Sequence, residues 1–222
     1  AKSKPINNPT IKDNDTNLFN FIGKYNIFFH CIIFPMMIIE HGGYVLPKNV
    51  PANEFMNLEG EKISTSRNWA VWLNDYLKEF PNMHDELRYC LITNLPENKD
   101  SDFTWKDFQS KNNNELVSIL GNYINRVLVL TDKFYDRIVP SCNSKNKNII
   151  KEIDSLKKSI DKSIKNFKFR EAMGFVIDVA RLGNKYLTDN EPWKKFNDDP
   201  ENVSEVMFCL LYTSPSPRDE RL

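Results

Sequence analysis

The chain has 222 residues, 41% hydrophobic and 27% charged, enough for a real core and for more than one structural unit. Lys plus Arg and Asp plus Glu both number 30, so the formal net charge is zero. Global charge therefore gives no support for nucleic-acid binding, although a local basic patch is compatible with it. The longest apolar run, Phe28 to Ile39, contains His30 and Pro35 and is too short to span a bilayer. Cys31, Cys90, Cys142 and Cys209 lie far apart with no CxxC spacing. That argues against a zinc knuckle and for reduced, structural thiols in a cytoplasmic protein.

Residues 1–20 are polar and expected to be irregular, with Lys2, Lys4 and Pro5 in place of a signal-peptide apolar stretch. The opening in mid-polar sequence without an initiator methionine reads as a fragment boundary. From Ile27 to about His41 the apolar run, stopped by Gly42-Gly43, predicts a buried helix. Tyr44-Val45-Leu46 and Glu54-Phe55-Met56 read as short strands. Trp69, Trp72, Leu73, Tyr76 and Leu77 recur at helical spacing up to a break at Pro81. Asp85 to Thr93 predicts another helix, and Pro96 to Ser101 a loop.

The second half is helical by pattern. Leu116, Ile119, Leu120, Tyr123, Val127, Leu130 and Phe134 fall on one face of a 3.6-period helix. Ile149, Ile150, Ile153, Leu156, Ile160 and Ile164 form a second stripe. A third helix runs from Phe169 through Tyr186, closed by Asp189-Asn190-Glu191-Pro192, and a fourth opens at Val203 and runs to Leu211. Such amphipathic helices must pack on one another, which predicts an antiparallel bundle. Residues 212–222, with Ser214-Pro215-Ser216-Pro217, break abruptly from the pattern. They resemble translated adaptor DNA, the alternative being a genuine Pro/Ser-rich tail, and are set aside from the fold.

Between the strands and the helices lies Lys62-Ile63-Ser64-Thr65-Ser66, preceded by Glu59-Gly60-Glu61 and followed by Arg67-Asn68-Trp69. Lysine offers a mobile point charge and the hydroxyls short donors, a combination suited to phosphate oxygens. Pentapeptides of this composition are common and most are solvated loops, so its neighbours decide its meaning.

The run from Asn53 to Trp69 resembles the signature loop of class I aminoacyl-tRNA synthetases, and specifically that of the methionyl-tRNA synthetase family. Upstream, Phe21-Ile22-Gly23-Lys24, Phe29-His30 and Phe34-Pro35 follow the same family's order. Downstream, Leu87-Arg88-Tyr89, Asp100-Ser101-Asp102-Phe103-Thr104-Trp105, Asn122, Asn125-Arg126 and Pro192-Trp193 do so too, keeping near-family spacing from about Thr16 to about Leu211.

The resemblance implies an α/β remnant of a Rossmann-like nucleotide-binding domain (residues 1–60). A signature loop and tRNA stem-contact segment (61–107) would follow, then an all-α anticodon-binding helix bundle (108–211). It implies ATP with Mg2+ as substrate, and methionine and tRNA(Met) as partners. Lys62 would carry the main phosphate charge, with Ile63, Ser64, Thr65 and Ser66 completing the loop. Phe29 and His30 would line the methionine pocket, although a lone histidine on an apolar helix is more often a satisfied core residue. Asn122, Arg126 and Trp193 would read the CAU anticodon, with a packing plug as the alternative for Trp193.

The chain departs from the family at two places. Tyr25 stands where the family usually has Asp, and Thr65 where many members carry a second lysine. His41-Gly42-Gly43 is not the His-x-Gly-His signature of the class, since it lacks the second histidine and ends a helix. That signature, and the metal-binding insertion where present, lie upstream in the family, so no metal site is expected here. The rival readings are a non-catalytic tRNA-binding module and a related synthetase for a branched aliphatic amino acid.

Overall fold

Two compact units divide the chain in a computed structural model that describes residues 16–141 and 147–212. The polar segment before Thr16, Cys142 and residues 213–222 of the suspected tail lie outside the described residues. One unit comprises the chain up to Val71 together with Asn94–Phe103, and the other comprises Trp72–Thr93 and the chain from Thr104.

The first unit is built from short strands around one helical crossover. Strand β1 (Leu18–Phe19) pairs in parallel with β3 (Pro47–Asn49), and β2 (Ile22–Gly23) pairs in parallel with β4 (Ala52–Asn53). Parallel neighbours require a crossover, supplied by a 3₁₀ turn at Lys24–Asn26, a π-wound turn at Phe29–Ile33 and helix α1 (Phe34–His41). A separate sheet has β5 (Met56–Leu58) at its centre, antiparallel to β6 (Glu61–Lys62) and parallel to β7 (Ser101–Phe103).

Several sequence expectations shift here. Regular structure already begins at Leu18, within the stretch expected to be irregular. The strands fall at 47–49, 52–53 and 56–58 rather than at Tyr44–Leu46 and Glu54–Met56. Gly42 and Gly43, both at positive φ, carry the chain out of the helix, and the pairing backbone begins at Pro47. The helix predicted to be buried has no buried residue, and Met37 and Ile39 are each 64% exposed. An apolar run shows how much surface calls for cover. It does not show whether the covering residues belong to the same stretch of chain. Cys31, on this helix, is an exposed free thiol, whereas Cys90 and Cys209 are buried.

The second unit is helical: α2 (Leu73–Glu79), α3 (His84–Thr93), α4 (Trp105–Lys111), a π-wound stretch at Asn112–Gly121, α5 (Asn122–Tyr135), α6 (Lys147–Lys165), α7 (Phe169–Asn190), α8 (Pro192–Lys195) and α9 (Pro200–Tyr212). The segment from Trp105 to Tyr135 is continuous, and its predicted stripe faces inward, with Tyr123 and Val127 in the core. That core also holds Ala180, Leu187, Val203, Val206, Met207 and Leu210. On α6 the inward stripe ends at Ser163 rather than Ile164. The Ser163 hydroxyl donates to Glu171 at 2.6 Å, while Ile164 is 49% exposed. A buried hydroxyl with a carboxylate partner loses little by leaving water, so the hydrogen bond wins the inward position at the helix end.

Tyr123 and Gly183 show how closely the helices approach. A Cβ on Gly183 would stand 2.4 Å from Tyr123 Cε2, and the same ring's hydroxyl donates to the Leu210 carbonyl at 2.6 Å. Glycine permits contact between the ring and the α7 backbone, and the hydrogen bond fixes the ring against α9.

Candidate functional site

The Lys62 loop is a hairpin followed by a closed turn. Glu59 (φ 52°) and Gly60 (φ 80°) form the two-residue turn between β5 and β6, and positive φ at both positions matches a hairpin's right-handed twist. The Asp102 carboxylate accepts the Gly60 N–H at 2.9 Å and so clamps the turn from β7. Beyond Lys62, Ser64 and Trp69 form an isolated antiparallel bridge, and the Asn68 N–H donates to the Thr65 carbonyl at 3.1 Å. Trp69 Nε1–H donates to the Leu58 carbonyl at 3.0 Å, tying the loop to its own hairpin. Inside it, Ser64 and Ser66 hydroxyls are 3.1 Å apart, and Arg67 donates to the Lys62 carbonyl at 3.1 Å. Ile63, Thr65 and Ser66 are exposed.

Charge in this unit is distributed unevenly. Lys24 pairs with Glu54 and, at 2.9 Å, with Asp100. Asp100 also accepts the Phe55 N–H at 2.9 Å, and these hydrogen bonds hold its carboxyl below the usual range while the carboxylates hold the Lys24 ammonium above it. Lys62, by contrast, forms no ion pair among the described residues. Its ammonium lies 5.7 Å from the centre of the Phe55 ring, which also has Lys24 at 4.5 Å and the Tyr25 ring at 4.9 Å. Phe55 thus brings the Phe-Ile-Gly-Lys turn and the signature hairpin to one place, a junction that no sequence period announces. Lys24, Glu54 and Asp100 were legible as motif letters but not as a network.

Phe29 and His30 sit in the π-wound turn. Phe29 is 58% exposed. His30 Nδ1 is shut off from solvent and has no hydrogen-bond partner among the described residues. A buried ring nitrogen without a partner is uncommon in a settled core. No hydrogen bond or ring contact among the described residues joins this pair to Lys62. His41 closes α1, so His41-Gly42-Gly43 lies at a helix end.

In the helical unit, Asn122 opens α5 with its side chain exposed, and Arg126 lies one turn on. The Arg126 guanidinium is 5.6 Å from the centre of the Trp193 ring, and donates to Thr188 at 3.3 Å and Asn184 at 3.4 Å. Asn184, which periodicity gave no reason to single out, also donates to the Ile119 carbonyl at 2.9 Å. Trp193 is 39% exposed, and the fully buried residue beside it is Pro192.

The description "tRNA synthetases class I (M)" belongs to a family model that matches residues 8–128, more than half of the chain. The chain belongs to that family. A second model, the anticodon binding domain of methionyl tRNA ligase, matches residues 139–211. The methionine–tRNA ligase of Flavobacterium johnsoniae is 56% identical over 206 residues, covering 91% of this chain and 29% of that protein. The one from Christiangramia forsetii is 57% identical, covering 91% of this chain and 30% of that protein. The chain therefore spans about a third or less of the curated relatives it matches. A methionyl-tRNA synthetase from Mycobacterium tuberculosis, solved in complex with methionyl-adenylate, superposes with a TM-score of 0.78 over 88% of this chain and 39% of that one, at 22% identity. At that identity the likeness establishes the fold.

For this class I synthetase chain, the first family match runs from the strand-bearing unit into the helical one and ends within α5, and the second lies wholly in the helical unit. No group of three or more His, Cys, Asp or Glu side chains able to hold a metal ion occurs among the described residues, and no helix among them is long and apolar enough to cross a membrane.

Proposed function

We propose that this chain is a segment of a cytoplasmic methionine–tRNA ligase. The whole enzyme joins methionine to ATP, forming methionyl-adenylate and releasing pyrophosphate, then transfers the methionyl group to the 3′ end of tRNA(Met). The observation that carries this reading is the Lys62 hairpin. It is closed by the Ser64–Trp69 bridge and presents an ammonium with no carboxylate partner among the described residues. An ammonium already paired would have to break that pair to meet a phosphate.

In this reading Lys62 meets charge developing on the leaving pyrophosphate, with Ser64, Thr65 and Ser66 offering hydroxyl donors and Ile63 holding the loop between them. Mg2+ enters with ATP as part of the substrate. Phe29 supplies an aromatic face for the methionine thioether, a contact worth about 0.3–1.5 kcal/mol. The partnerless His30 Nδ1 argues against a satisfied core histidine, and the resemblance places it beside Phe29 at the methionine. Residues 61–107 lead toward the tRNA stem, and the bundle from 108 reads the anticodon through Asn122, Arg126 and Trp193. Amide and guanidinium groups can read base edges, and the indole offers a stacking face.

The test uses binding of a CAU anticodon stem-loop and of altered-anticodon loops to the full chain, with thermal melts alongside. Trp193→Ala should weaken CAU binding by roughly ten- to a hundredfold, from the magnitude of base–aromatic stacking. Arg126→Ala should in addition flatten the preference for CAU. Collapse of the fold on Trp193→Ala, with no anticodon preference in the parent, refutes the RNA-reading assignment.

A further inference from the structure

Trp193 lies between two attachments to α5. The first is Arg126, above its ring. The second comes three residues later, where Phe196 stacks on Phe134 with ring centres 4.2 Å apart and planes 9° from parallel. Tyr135 meets the same Phe196 ring edge-on, at 5.9 Å and 88°. Phe134 and Arg126 are eight residues apart on one helix, a rise of about 12 Å.

The short α8 segment packs against α9 and carries a Lys194–Glu191 ion pair at 2.8 Å. It follows Glu191, which ends α7 in the left-handed conformation (φ 45°, ψ 55°), and it is only four residues long. Pro192 is buried and fixes the start of the segment, but a proline with no side-chain reach past its ring does not set the direction of the next indole. A lone Arg–Trp contact at a half-exposed site is weak, worth about 0.5–1 kcal/mol. The face-to-face stack of Phe196, partly buried against the Tyr123–Leu210 core, is the stronger constraint on this turn.

We infer that Phe196, stacked on Phe134, is a positioning residue for anticodon recognition: it holds the α8 turn so that the Trp193 ring stays flat beneath Arg126 and ready for a base. This rests on the anticodon-reading role of Trp193. The pair touches no RNA itself and acts through Trp193, so its effect on binding vanishes when the indole is absent.

A double-mutant cycle in the full chain tests this, with a CAU stem-loop carrying 2-aminopurine in the anticodon so that quenching reports stacking. Phe196→Ala should weaken binding about tenfold and reduce the quenching, while a Trp193→Ala chain should lose nothing further when Phe196→Ala is added. Phe196→Tyr, which keeps the stacked ring, should restore both signals. Phe134→Leu, which keeps apolar volume but removes the stack, gives the same cycle if Phe196→Ala does not fold. Losses that add in the Trp193→Ala background, or unchanged binding in folded Phe196→Ala or Phe134→Leu chains, overturn the inference while leaving Trp193's own role intact. If Trp193→Ala alone changes nothing, the anticodon reading and this inference fall together.

Discussion

Ser64 and Trp69 exchange both of their backbone hydrogen bonds, at 2.9 and 2.8 Å, across a turn of four residues. The loop that carries the hydroxyls is therefore fixed at both ends before any ligand arrives. Preorganisation of this kind lets a nearby charge act on a transition state without first ordering the chain.

In a complete enzyme containing this chain, Lys62→Ala should lower the rate of adenylate formation by about two orders of magnitude, the scale for removing one preorganised donor. Methionine affinity should change little, because the lysine is expected to meet charge that develops on pyrophosphate. Single-turnover measurement of adenylate formation decides it, and an unchanged rate marks the loop as structural.

Trp69→Phe keeps an aromatic ring of smaller size and removes the N–H that reaches the Leu58 carbonyl. The expected loss is about 1 kcal/mol of stability, the typical net worth of one such hydrogen bond. Denaturant titration should register it, accompanied by faster amide exchange at Ser64 and Asn68. Unaltered exchange would show that the backbone bridge alone holds the loop.

Tyr25→Asp, made in the same complete enzyme, should raise activity if the tyrosine is a lesion at a position where the resemblance implies Asp. The Tyr25 ring is 73% exposed and its recorded contact is with Phe55, so its removal leaves no hole. Methionine-dependent pyrophosphate exchange is the readout. Equal or lower exchange would mark tyrosine as native to this chain and compensated.

Gly183→Ala should destabilise the helical unit by about 1–3 kcal/mol, the usual cost of overpacking a filled core. The new methyl meets the Tyr123 ring, which cannot swing away without giving up its bond to the Leu210 carbonyl. Pairing it with Tyr123→Leu should recover part of the loss in thermal melts, and full additivity of the two losses would rule out this clash as the cause.

Asp100 gives the pH dependence. Its carboxyl titrates below the ordinary carboxylate value because it accepts from Phe55 N–H and Lys24. A depressed value in the folded state means that the ionised form binds its partners. The contribution is thus present above pH of about 4, the unfolded value, and lost as pH falls through the folded one. Asp100→Asn should remove that acid-side dependence from the chemical shifts of Phe55, and persistence of the titration in the variant would assign it elsewhere.

Much of the helical unit was legible because each helix there buries one stripe against its neighbours. The Leu116-to-Phe134 and Ile149-to-Ile160 periods are direct records of that packing. The strand-bearing unit was harder. Its strands are two or three residues long, too short for any alternation to show, and β7 hides inside the motif Asp100–Trp105. The junction at Phe55 was invisible because it joins residues 24, 55, 62 and 100 through geometry that no local period encodes. Lys62 and Arg126 could be named from motif order, whereas Asn184, held by hydrogen bonds, and Phe196, held by a ring stack, carry no letter pattern of their own.

The π-wound stretch Asn112–Gly121 sets the angular phase of everything that follows it on the helix. Each residue of the α-helix that follows advances it by about 100°, and a residue lost from the wider π turns would shift that phase, carrying Arg126 around the axis and away from Trp193. It would turn Tyr123 away from Gly183 in the same movement. The length of this stretch is not free. The segment works as a spacer counted in residues, and a change of one position is a rotation rather than a small displacement.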